Sequence, residues 1–434
     1  MSRCHVSFLL LLIAAWGVPW QVADAHAAPS HTLWAASIAI DTTNAAPRTR
    51  TEQLRRARAQ QPRVDLPEAG RIERFIIGLE DDGLIHAINR ITRGTLRAQI
   101  GGLRTGTGLG ARLSVHPLHR ASNVDLMAGG ALSIRGFWTA HTAFALQRGP
   151  VFTQVYGHLH LRPEEVVLSA APDAEERLAF RIRNTAAGGL MGLRLSPALT
   201  LAADVAYTTN RPRTDDDLAA SELLLDLDRS RYVTYGTHLL FDRRDARYGN
   251  AYGNRFTPLT EDLNDRPVAP RSGTMLQLKA HRFYDTTDRS LSFGRLVGEV
   301  QQYLSTRHGY HVLALRHRTV LTDVSSTADI PFFELPALGG SYTLRGFRDF
   351  QFRGRHALLF NAEYRWRTWH FADLVLFADA GKSFDTVDRW GLTDLNMSYG
   401  IGSRLSSNGS TLGRIDLAYG DDGLRLTIST GNVF

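Results

Sequence analysis

From Leu96 to the carboxy terminus the chain alternates apolar and polar residues with a period of two, in stretches of about ten residues separated by turn residues. That period belongs to strands and excludes a helical bundle, whose apolar positions recur every three to four residues. The sense of the alternation is clearest late in the chain. Over residues 357–367, Leu358, Phe360, Ala362, Tyr364 and Trp366 fall on one face, and Leu359, Asn361, Glu363, Arg365 and Arg367 on the other. In the last strand Leu424, Leu426, Ile428 and Phe434 share a face opposite Arg425, Thr427 and Ser429. A soluble sandwich and a membrane barrel both produce this pattern, one read inside out relative to the other. Strand number, strand length and the gathering of Tyr364, Trp366 and Trp369 at one end, like an interfacial girdle, favour the membrane version. The segments add up to about 16 strands over residues 96–434, enough for one large closed barrel. The expected fold is therefore all-β: a 16-stranded antiparallel transmembrane β-barrel, with a long loop folded into its lumen.

The address agrees with that fold. Arg3, the apolar run 8–20 and Ala23-Asp24-Ala25 read as a secretory signal peptide over residues 1–25, because the run is shorter than the roughly 20 residues that a spanning helix needs. The only cysteine, Cys4, lies ahead of that run, so a mature chain has no disulfide and no cysteine metal site. Beyond it no apolar stretch is long enough for a transmembrane helix, which leaves a barrel as the way to cross a bilayer. Residues 26–95 are rich in Ala, Pro, Thr and Arg, and they read as a periplasmic segment: a run 48–63 that is a solvated linker or frayed helix, with contact to anionic lipid headgroups as the alternative, then a short amphipathic helix that begins after Asp81-Asp82. The net charge of +7 is carried almost entirely by arginine, Lys279 and Lys382 being the only lysines. In a barrel such charge lines lumen and rim, and no nucleic-acid partner is expected.

Two local features narrow the chemistry. Gly106, Gly108 and Ala111 match a dinucleotide fingerprint, but the residues after them continue as alternating strand instead of opening a helix, so the match is rejected. The connection 321–355 is about 35 residues, too long for an idle loop, and it carries Gly339-Gly340 followed by Leu344-Arg345-Gly346-Phe347. Glycines there let the backbone turn tightly. On the strand after next, the parity that sends Leu374, Leu376 and Ala378 to lipid sends Val375, Phe377 and Asp379 to the lumen. Asp379, with Glu363 on the inward face of the preceding strand, is placed to hold the Arg345 guanidinium by charge-assisted hydrogen bonds. His281, His311, His317 and His356 show no ligand spacing, and no nucleophile–base motif appears. No metal, no cofactor and no enzymatic activity are expected.

The ordered series GG-x3-LRGF, LLFNAEYRWR, FADAG, YGIGSRL, RIDLAYG and LTISTGNVF resembles the carboxy-terminal barrel of the BamA/TamA superfamily, also called the bacterial surface antigen family. The resemblance implies 16 strands in the bacterial outer membrane, with the arginine of the loop motif inside the barrel against an aspartate of strand 13, here Arg345 and Asp379. It also makes the alternating Leu424, Leu426 and Ile428 with terminal Phe434 the signal by which the barrel assembly machinery inserts the chain. Residues 26–95 are barely long enough for one periplasmic POTRA domain and lack its strands, so the chain reads as a barrel-only member. The function this implies is insertion or export of client outer-membrane or secreted proteins through a weakly paired seam between first and last strands. A client-free structural or pore-forming barrel with a plugged lumen is the alternative, and in either case the Arg345–Asp379 pair has a structural role in pinning the loop.

Overall fold

The computed structural model describes residues 96–102, 109–115, 123–171, 174–214, 230–245, 270–287, 291–306, 310–323, 330–369, 372–407, 410–429 and 433–434. The expected signal peptide (1–25) and periplasmic segment (26–95) lie outside the described residues.

Sixteen strands form one antiparallel sheet in sequence order. They are β1 (Leu96–Gly102), β2 (Leu109–Val115), β3 (Val124–Ser133), β4 (Trp138–Arg148), β5 (Val151–Ala171), β6 (Ala174–Arg194), β7 (Leu199–Thr214), β8 (Ser230–Asp242), β9 (Gly273–Asp285), β10 (Phe293–Ser305), β11 (His311–Asp323), β12 (His356–Arg367), β13 (Ala372–Phe384), β14 (Asn396–Ser407), β15 (Ser410–Gly420) and β16 (Gly423–Ser429). The sheet curls until β1 and β16 approach within 8 Å between Cα atoms. Among the described residues no ladder joins these two strands, so the sheet has a seam where the sequence suggests full closure.

Side-chain burial is inverted relative to a soluble sheet. Phe144, Val155, Val205, Leu376, Ile401 and Leu426 are exposed, while Asp204, His238, Glu299, Arg316, Glu363 and Arg404 are buried. Along β12 and β13 the expected parity holds: Glu363 and Arg365 point in and Tyr364 and Trp366 out, with Val375, Phe377 and Asp379 in and Leu374 and Leu376 out. A sheet with apolar residues outside and ionic groups inside is stable only where its outer solvent is hydrocarbon.

Strand lengths vary around the sheet. β5 and β6 run for 21 residues each, and β1, β2 and β16 are described over 7 residues each. Period-two alternation suggests a strand from Val151 to Leu161. The ladder to β6 instead continues past Pro163, which pairs with Arg181.

The connection from β11 to β12 turns inward. Its first described part forms a single turn at Phe332–Glu334 that packs Phe332 and Phe333 on Phe180 and Ile182 of β6, and Glu334 accepts a 2.8 Å hydrogen bond from Asn210 of β7. Farther on, Leu338, Leu344 and Phe347 pack with Val320, Ala357 and Leu359 of β11 and β12. The loop therefore crosses the lumen from one wall to the opposite one.

The outward face supplies a test. Val205 is 53% exposed in the middle of β7. Val205→Arg is expected to destabilise the barrel by about 2–4 kcal/mol in lipid vesicles, as a charge near the bilayer midplane does. Reversible unfolding monitored by tryptophan fluorescence measures this, and no change would deny that this face meets lipid.

Candidate functional site

The site is built where the lumen loop meets β12 to β15. Gly339 (φ 113°) and Gly340 (φ 90°) both take left-handed backbone, and a Cβ on Gly339 would stand 2.1 Å from the Arg348 carbonyl. The Thr343 hydroxyl closes this turn by donating to the Gly339 carbonyl at 2.9 Å, and the Gly340 N–H donates to the carbonyls of Leu344 and Phe347 at 3.1 Å each. The tight turn aims Arg345 at the barrel wall. Gly346 follows, so close to the wall that a Cβ would lie 2.6 Å from the Ser398 Cβ and 3.0 Å from the Gly420 nitrogen.

Arg345 has no exposed surface. Its Nε and Nη2 donate to the two oxygens of Asp379 at 2.8 and 2.6 Å, its backbone N–H donates to Asp379 Oδ2 at 3.1 Å, and its Nη1 donates to Glu363 Oε1 at 2.6 Å. The guanidinium also lies over the Phe377 ring, 3.6 Å from its centroid. Asp379 accepts two further bonds, from Asn361 at 2.8 Å and Ser398 at 3.4 Å, and Asn361 also donates to the Thr343 carbonyl at 2.7 Å. The fork geometry satisfies a planar guanidinium from three sides, which a lysine ammonium would not reproduce. Burial alone would favour neutral Arg345, but Asp379, with Glu363 and Asp416 behind it, raises its pKa above the ordinary arginine value.

The cluster is larger than the expected pair. Glu363 also accepts from Arg365 Nε at 2.8 Å and Arg404 Nη2 at 2.7 Å. Arg404 donates in turn to Asp416 at 2.5 Å, and Asp416 lies 3.6 Å from Arg414. Arg414 returns to the loop by donating to the Ser341 carbonyl at 2.6 Å and stacking on Tyr342. Four arginines and three carboxylates thus form one buried network joining the loop to four strands. Arg404 and Arg414 sit in the YGIGSRL and RIDLAYG segments at inward parity, which is the signal by which the sequence marks them.

The chain end departs from expectation. Leu424, Leu426 and Ile428 stay outside, 69, 63 and 66% exposed. Phe434 does not share their face. It is 1% exposed, packed with Val433 on Tyr303, Val312 and Ala314 inside the lumen, with Arg365 over its ring at 5.6 Å. β16 ends at Ser429, so period-two counting does not extend to residue 434. His311, His317 and His356 are separated on β11 and β12, but His281 meets Asp204 and His238, a group that the sequence reading did not assemble.

This fold and interior define a transmembrane β-barrel whose lumen loop is held to the wall by a buried arginine network. A family model described as the Omp85 superfamily domain matches residues 152–423, and the chain belongs to that superfamily of outer-membrane β-barrels. Among solved structures, BamA from Haemophilus ducreyi lacking POTRA domains 1–3 is similar at a TM-score of 0.57 and 12% identity, covering 77% of this chain and 70% of that one. CdiB from Escherichia coli, at a TM-score of 0.49 and 13% identity, covers 77% of this chain and 61% of that one. No curated protein matches the chain.

Two substitutions probe the site. Arg345→Lys keeps the charge but loses the fork, and a cost of at least about 2 kcal/mol is expected for leaving buried carboxylate oxygens unsatisfied. Gly346→Val forces its side chain against Ser398 and Gly420, and is expected to lower the fraction of protein that shows heat-modifiable migration in gels. Wild-type unfolding midpoints and migration in both variants would remove the loop from the barrel's stability.

Proposed function

We propose that this protein inserts or exports client proteins at the outer membrane, working through the seam between β1 and β16. The observation that carries the reading is the uneven hydrogen bonding of the sheet. Among the described residues β1 and β16 come within 8 Å between Cα atoms with no ladder between them, while every other neighbouring pair of strands in the sheet is hydrogen-bonded, so opening costs least at that one junction. Glycines at 101, 102, 108 and 110 thin the packing on the β1 side. β16 presents Leu424, Leu426 and Ile428 outward, an apolar edge next to lipid on which an incoming strand can add by backbone pairing.

The lumen loop supports this reading over an open pore. Its described residues reach from β6 and β7 to β15, across the path that a water-filled channel would take. Arg345, Asp379 and Glu363 then serve as positioning residues: they hold the loop and the wall beside the seam in one arrangement. Before folding, the chain's own Leu424, Leu426, Ile428 and Phe434 act as its signal to the barrel assembly machinery. The activity needs no cofactor and no catalytic group.

Depletion of the protein followed by an inventory of the outer membrane tests the function. Selective loss of particular barrels or surface proteins is expected, together with little conductance of the purified protein in planar bilayers. An intact inventory combined with steady single-channel conductance would replace the assembly reading with that of a client-free pore.

A further inference from the structure

We propose that the lumen wall holds a divalent transition-metal site made by Asp204 of β7, His238 of β8 and His281 of β9. The three come from adjacent strands and all face inward. The Nε2 atoms of both histidines converge on the same oxygen of Asp204, at 2.5 Å from His238 and 3.0 Å from His281, and the three ligand atoms lie within 4.8 Å of one another. An ion with nitrogen and oxygen ligands at about 2.0–2.2 Å has its donor atoms roughly 3.3 Å apart, so shifts of well under 1 Å would seat one.

The ladder explains how the three meet. Asp204 pairs with Gly236, and Gly236 pairs with His281, so the carboxylate and the imidazole are separated by one strand whose residue has no side chain. A Cβ on Gly236 would stand 2.4 Å from the His281 Cδ2 and 2.5 Å from the Ala280 carbonyl. Gly236 thus opens the gap that the two side chains close over, and His238, two residues along, supplies the third donor. Asp204 and His238 are almost fully buried, whereas the His281 side chain retains 15% exposure on the lumen side, leaving one flank for a water or an exchangeable ligand. Two imidazoles and one carboxylate suit Zn²⁺, Co²⁺ or Ni²⁺, and disfavour Mg²⁺ and Ca²⁺, which prefer all-oxygen shells. Lys279, paired with His238 in the ladder, adds a nearby positive charge that moderates affinity, and Tyr156 of β5 faces Asp204 from the other side. Occupancy would tie three strands together across the barrel from the seam.

The full chain folded in detergent micelles, treated with zinc chloride and desalted, is expected to retain about one zinc per chain, and cobalt is expected to give the visible absorption of a four-coordinate site. Asp204→Asn and His281→Gln, each checked for heat-modifiable migration, are expected to weaken binding at least about tenfold, the loss that even a ligand's supporting partner produces. Should either variant fail to fold, the wild-type protein decides by itself: zinc is expected to protect the part-exposed His281 from diethylpyrocarbonate while leaving the rate at His311 unchanged. Wild-type protein that retains no zinc above buffer, folded variants that bind as wild type does, or modification of His281 at one rate with and without zinc would each overturn the site.

Discussion

A buried guanidinium that must be satisfied from several sides is the constraint on which the interior of this barrel depends. Arg345 arrives on a loop, and none of its partners is near it in sequence: Asp379 is 34 residues away and Glu363 is 18. Meeting them fixes the loop's path, and the path in turn fixes what fills the lumen. Ionic groups removed from water give little net stability when paired, yet breaking one side of the pairing is costly because the other is left charged and dry. The network's larger contribution is therefore to select one arrangement. Glu363 serves Arg345, Arg365 and Arg404 together, and Arg404 carries the connection to Asp416 and Arg414, so the loop cannot shift without disturbing β12 to β15.

The strands were legible in the sequence because a membrane barrel has only one way to satisfy its backbone, and that way stamps a period of two on every segment. Asp379 and Glu363 were legible for the same reason, since parity along β13 and β12 puts them inside. Arg404, Arg414 and Asp416 have the same inward parity, but nothing local says which inward charges touch. The group of Asp204, His238 and His281 was hidden more thoroughly: its members are 34 and 77 residues apart along the chain, and lateral register across three strands brings them together. Phe434 was misplaced because period-two counting was carried past Ser429, the last residue of β16, whereas Phe434 packs on Tyr303.

The molecule is asymmetric about its seam. β1, which ends in Gly101-Gly102, lies on one side of it, and the longest ladder joins β5 and β6. The loop touches both regions. Phe332 and Phe333 rest on β6, while Asp349 lies 3.3 Å from Arg425 of β16, beside the seam, and 3.7 Å from Arg135 in the β3–β4 turn. A loop tied to β6 and to β16 would, on the proposed function, couple the lumen to the seam.

A double-mutant cycle on Arg345 and Asp379, read by reversible unfolding in lipid vesicles, tests the central claim most directly. Arg345→Ala and Asp379→Ala are each expected to cost about 3–5 kcal/mol, because each strands its partner in a dry interior. The double variant is expected to cost markedly less than their sum, with a coupling of about 1–3 kcal/mol. Additive losses, or single variants as stable as wild type, would contradict an interior organised by this contact.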